Sequence, residues 1–97
     1  MSRHAYLVCY DVSDDRRRTR IYEVCRGFGE RLQYSVFRCD MNRSELVQLE
    51  SELWDVIHHR EDQILLIDLG PVEGRARRCV RSLGRAYVPP DDGPVIV

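Results

Sequence analysis

The chain has 97 residues, a formal net charge of −1 and 43% hydrophobic residues, which makes one small domain with a thin core. Near-zero net charge gives no bulk-charge argument for nucleic acid, and no apolar run approaches a membrane span. The apolar run after Arg3 is short and ends in Asp11, unlike a secretory signal, so a cytoplasmic protein is expected.

The distribution of charge says more than its sum. All 15 basic residues are Arg, and many fall in two blocks, Arg16 to Arg31 and Arg75 to Arg85. A compositional bias for Arg accounts for the missing Lys but not for the clustering. Arg carries a rigid fork that matches phosphate oxygens in pairs, so Arg16, Arg17, Arg18, Arg77 and Arg78 are candidate nucleic-acid contacts. Cys9, Cys25, Cys39 and Cys79 are widely spaced and lack the paired spacing of a zinc site, so reduced thiols are expected.

In chain order, Ala5 to Val12 is a strand-length apolar run carrying Asp11 near its tip. Ser13-Asp14-Asp15 then starts a helix reaching about Phe28, with an apolar stripe of Ile21, Val24, Cys25 and Phe28. Its opposite face carries Arg16, Arg20, Glu23 and Arg26. Arg31 to Gln33 reads as a very short strand, and Ser35 to Met41 as a longer one with one wet face. Asn42 with Glu45 three residues on is a capping box, opening a helix that ends near His59. Gln63 to Leu69 is continuously apolar apart from Asp68 and reads as a central strand closed by Gly70-Pro71. Beyond it, Val72 to Leu83 is a candidate short Arg-rich helix and Arg85 to Val88 a candidate short strand. Phe28, Phe37 and Trp54 are expected in the core.

This order is that of a split β-α-β, ferredoxin-like α+β domain spanning residues 1–97, with 85–97 a tail containing a terminal strand. A small parallel sheet is the alternative if Arg31 to Met41 forms one strand. Val95-Ile96-Val97 left unpaired is an aggregation liability, so it is expected to pair with a sheet edge in its own chain or a partner's.

An acid at a strand end beside arginines suits a metal ion held against a phosphodiester. The blander readings are a turn acid for Asp11, helix-cap acids for Asp14 and Asp15, and a solvated face for Arg16 to Arg18.

Three features in order resemble the family of CRISPR-associated protein two, the small partner in spacer acquisition. They are Val8-Cys9-Tyr10-Asp11-Val12 before an Arg-rich helix, Gln33-Tyr34-Ser35-Val36-Phe37, and Asp62-Gln63-Ile64-Leu65-Leu66-Ile67. The resemblance implies a ferredoxin-like homodimer packed sheet to sheet, acting as a metal-dependent endonuclease on RNA or DNA. It also implies a bridge between dimers of CRISPR-associated protein one, the integrase, so a non-catalytic DNA-binding adaptor is the alternative function. Under this resemblance Asp11 is the catalytic and metal-binding acid, with Tyr10, Ser35 and Phe37 close to the site. One Mg²⁺, or another divalent cation, would be shared between the two Asp11 of a dimer. Arg38 departs from the family pattern, in which an acid is common after that Phe.

Overall fold

The structure, a computed structural model, describes residues 2–87. Strand β1 (His4–Asp11) is followed by α1 (Asp15–Arg26), β2 (Glu30–Gln33), β3 (Val36–Met41), α2 (Arg43–Val56) and β4 (Gln63–Pro71). A single 3₁₀ turn, Arg75–Arg77, stands where a short helix was expected. The four strands form one sheet in the order β2-β3-β1-β4, with every neighbouring pair antiparallel. This is the ferredoxin-like split unit, and the short first strand of its central hairpin is β2.

The helices start where their caps dictate. The Asp14 carboxylate accepts the Arg17 backbone N–H at 2.9 Å, and Asn42 and Glu45 form a reciprocal capping box at 2.8 and 2.9 Å. Both helices lie on one face of the sheet. Ile21 and Cys25 of α1, and Leu49 and Leu53 of α2, pack against Val8, Tyr10, Phe37, Cys39 and Met41. Each large side chain so buried contributes about 1.5–3 kcal/mol. Gly29 lets α1 turn tightly back over β3, since a Cβ there would meet Cys39 Sγ at 2.6 Å. All four cysteines are free thiols, and burial pushes Cys25 and Cys39 up to about 12.

Several expectations are corrected. Strand β4 is an edge strand, and the inner strands are β1 and β3. Its apolar run covers the core through Ile64 and Leu66, but Leu65 and Ile67 are 49% and 43% exposed on the face away from the helices. That face of β3 is not wet: Arg38 is 1% exposed, because the chain after the 3₁₀ turn returns over it and Tyr87 reaches its guanidinium. Trp54 is 59% exposed rather than core, stacked on His59 with ring centroids 3.8 Å apart. No strand forms over residues 85–87; the expectations for Val88 and for the terminal strand lie outside the described residues. Among the described residues no helix is long and apolar enough to cross a membrane.

Candidate nucleic-acid site

Asp11 closes β1 and is exposed, while its neighbour Tyr10 points to the opposite face and is buried. The alternation of a strand produces this division: even residues of β1 enter the core and Asp11 faces out. Three segments meet at this end of the sheet. The β2–β3 turn arrives because the Tyr10 N–H donates to the Ser35 carbonyl at 3.0 Å. The start of α1 follows directly. The loop after α2 arrives because Gln63 pairs with Asp11 across the sheet.

The three adjacent arginines do different things. Arg17 donates side-on to Asp62, Nε to Oδ2 at 2.7 Å and Nη2 to Oδ1 at 3.1 Å, and also reaches Glu61 at 3.3 Å. The Asp62 side chain is fully buried and also accepts the His58 backbone N–H at 2.8 Å. The Arg17 guanidinium therefore holds the Asp62 carboxyl below its usual range. Arg18 donates to the carbonyls of Val12 and Ser13, at 2.9 and 3.3 Å, and pairs with Asp15. It thereby fixes the loop that follows Asp11. Arg16 is exposed and has no ion pair among the described residues, so its charge is available to phosphate.

Arg77 and Arg78 are not brought to Asp11. They follow β4, whose end Pro71 pairs with His4, at the opposite end of β1 from Asp11. Seven residues of strand separate the two ends, about 23 Å. Both arginines are exposed, and Arg77 lies 3.9 Å from Glu73.

Phe37 is 1% exposed, packed under Tyr10 and Tyr22 with centroids 6.4 and 5.6 Å away, so it cannot offer its face to a base. The exposed aromatic at this end is Tyr34, 67% accessible in the β2–β3 turn. The Arg31 guanidinium carbon lies 5.7 Å from its ring centroid and 5.4 Å from that of Tyr22. Sequence reasoning missed this group. Tyr34 sits inside the quoted Gln33 to Phe37 motif, but nothing local links it to Arg31 and Tyr22.

The described residues contain no group of three His, Cys, Asp or Glu side chains placed to hold a metal ion. Asp11 is a single hard carboxylate in water, which fits an ion that keeps most of its waters and takes the rest of its shell from phosphate or a second carboxylate.

The family model described as CRISPR associated protein Cas2 matches residues 4–82. A CRISPR-associated endoribonuclease Cas2 of Geobacter sulfurreducens is 37% identical over 86 residues, covering 89% of this chain and 90% of that protein. One from Thermus thermophilus is 41% identical over 70 residues, 71% of this chain and 74% of that protein. Among solved structures, the hypothetical protein TT1823 of Thermus thermophilus superposes with a TM-score of 0.76 at 30% identity, covering 90% of this chain and 98% of that one. Streptococcus pyogenes Cas2 at pH 6.5 gives 0.71 at 32% identity, covering 82% and 99%. The small α+β fold of this chain is thus shared with these solved structures. The chain belongs to the CRISPR-associated Cas2 family.

Proposed function

We propose that this chain is a divalent-metal-dependent endonuclease acting on RNA or DNA phosphodiester bonds, and that it works in spacer acquisition with CRISPR-associated protein one. The observation that carries this reading is the exposed Asp11 carboxylate at the tip of the inner strand β1, followed directly by α1, whose first turn carries Arg16, exposed and without an ion pair among the described residues. The names of the curated relatives, endoribonucleases, support the reaction class.

Asp11 is the residue that would hold Mg²⁺, and the ion would polarise a phosphoryl oxygen and lower the pKa of a bound water. The chain's own groups do the rest. Arg16 meets phosphate charge, and Arg18 keeps the loop after Asp11 in place through the Val12 and Ser13 carbonyls. Ser35 contributes its backbone carbonyl to Tyr10 and serves as a structural link rather than a nucleophile.

A second copy completes the reading. One chain offers one carboxylate, and a twofold axis would present Asp11 twice. Support for such a homodimer comes from Leu65 and Ile67 of β4, exposed beside Cys9 and Leu7 of β1 on the sheet face away from the helices. A contiguous apolar patch of this kind marks an interaction surface.

The adaptor reading, in which the protein holds DNA and docks the integrase without cutting, is favoured by one observation. No histidine contacts Asp11: His4 lies at the other end of β1, where Nδ1 is 2.9 Å from Asp68, and His58 Nδ1 accepts loop amides of Arg60 and Glu61 at 3.3 and 3.2 Å. A hydrolase without a positioned general base is slow.

Asp11→Asn separates the two. It removes the charge that holds Mg²⁺ and keeps the shape. As a nuclease, the variant loses Mg²⁺-dependent cleavage and keeps its fold and dimer; as an adaptor, it keeps duplex binding and supports spacer acquisition. Cleavage at the parental rate by a nuclease-free preparation of the variant would sink the metal site.

A further inference from the structure

At the Asp11 end of the sheet, but on its helix side, lies a cleft of about 280 Å³. Tyr10, Tyr22 and Tyr34 line it together with Arg18, Arg31 and Asp15. Its floor is rigid. Tyr10 is 5% exposed and stacks on the buried Phe37, and Tyr22 meets the same Phe37 edge-on. Its rim is open, since Tyr34 projects from the β2–β3 turn.

The charges in the cleft do not cancel. Asp15 is the one acid lining it, and Arg18 pairs with that carboxylate. Arg31 lies over the Tyr22 and Tyr34 rings and has no carboxylate partner among the described residues. Its guanidinium therefore remains free to meet an anion while it lies within cation–π range of two aromatic rings. Flat aromatic walls, a net positive lining and a volume that admits one heterocycle select a ligand that is planar at one end and anionic at the other. A nucleotide has that chemistry. A base in a duplex cannot enter, because both its faces are covered by neighbouring bases, whereas a base in a single strand can be splayed onto an aromatic ring.

We propose that this cleft is a stacking subsite for one unpaired base of single-stranded nucleic acid, with Tyr34 as the platform and Arg31 on the adjoining phosphate. The assignment rests on the nucleic-acid reading of the site, and it specifies the strand: unpaired at the nucleotide beside Asp11. Tyr10 and Asp11 are consecutive and point to opposite faces of β1, so a strand seated in the cleft passes the tip of β1 to reach the acid.

The test uses a short thymine oligonucleotide carrying one 2-aminopurine, whose fluorescence falls when the base stacks. Its arms are the single strand, the same strand annealed to its complement, and free 2-aminopurine ribonucleoside monophosphate. The full chain quenches the single strand and leaves the duplex unchanged. Tyr34→Leu removes the quenching and weakens single-strand binding about tenfold, while Tyr34→Phe retains both. Arg31→Leu weakens single-strand binding and flattens its salt dependence. Melting curves of the variants show that Tyr34→Leu is folded, and its duplex affinity matches the parent's. Single-strand binding with no change in emission, or a Tyr34→Leu variant indistinguishable from the parent, overturns the subsite and leaves Asp11-dependent cleavage to stand. Quenching of the free monophosphate but not of the strand overturns the assignment to a polymer. Failure to bind either strand form overturns the nucleic-acid reading and the subsite with it.

Discussion

Arg17 and Asp62, 45 residues apart, form a side-on two-point ion pair at 2.7 and 3.1 Å that joins the first turn of α1 to the loop between α2 and β4. The acid is fully buried and the Arg is 24% exposed. The pair therefore belongs to the scaffold beneath the Asp11 tip. One of the three arginines that look alike in sequence is a structural brace.

The brace has a measurable strength. Arg17→Ala leaves a buried carboxylate with only the His58 N–H, and Asp62→Asn leaves the guanidinium with only the weaker, exposed partners Glu61 and Asp14. Each is expected to destabilise the fold and lower the melting temperature by several degrees, on the order of 5 °C for a domain this size. A double-mutant cycle should show the two losses largely shared. Additive losses in thermal melts would mean the pair does not couple the two segments.

Asp62 also sets an acid limit. Its folded pKa lies below the ordinary value of 3.8, chiefly through the Arg17 hydrogen bond. A depressed carboxyl stabilises the fold above its unfolded pKa. That contribution is lost as pH falls through the lower folded value. Stability of the parent should drop on acidification below about pH 4, and the Asp62→Asn variant, already weaker, should show a shallower drop. Parallel curves for the two proteins would assign acid unfolding to other groups.

Nucleic-acid affinity should separate the neighbours. Arg16→Ala removes an exposed charge that has no ion pair among the described residues, and should lower the salt slope of binding by about one while leaving the melting temperature unchanged. Arg17→Ala should do the reverse. An Arg16→Ala variant with the parental salt slope would show that the start of α1 does not touch phosphate.

The exposed outer face of β4 predicts assembly. Ile67→Glu places a charge among Leu65, Leu7 and Cys9 on the exposed side of β4 without entering the core. If this face joins two copies, light scattering at micromolar concentration should show a dimer for the parent and a monomer for the variant. A parental monomer would remove the twofold pairing of Asp11 as well.

Arg38 tests the covering of β3. Its Nη1 donates to the Tyr87 hydroxyl at 2.8 Å and its Nε to Asp40 at 3.1 Å, while Nη2 has no partner among the described residues. Tyr87→Phe strands a second nitrogen of a buried cation and should cost about 1.5 kcal/mol in denaturant unfolding. A neutral result would mean that water replaces the hydroxyl and that the returning segment is not packed there.

The elements themselves were legible in the chain because their signals are local. The stripe of Ile21 and Cys25, the Asp14 cap, the Asn42–Glu45 box and the run ending at Asp11 act within a few residues, and all appear where the pattern placed them. Their order also implied the split β-α-β sheet, since two helices need one common face to cover. What the sequence determined alone was therefore the set of elements, their caps and the strand tip that presents Asp11. The tertiary structure decided which strand lies at the edge, because the apolar run of β4 reads the same whether one face or two are covered. It buried Arg38 by returning residues up to Tyr87 over β3, and it exposed Trp54 on the outer side of α2. It tied Arg17 to Asp62 and gathered Tyr34, Tyr22 and Arg31 into one cleft. It also set Arg77 and Arg78 at the end of the sheet away from Asp11. Each of these depends on which distant segments the strand pairing brings side by side, and a pairing between residues tens of positions apart leaves no periodic trace in either segment.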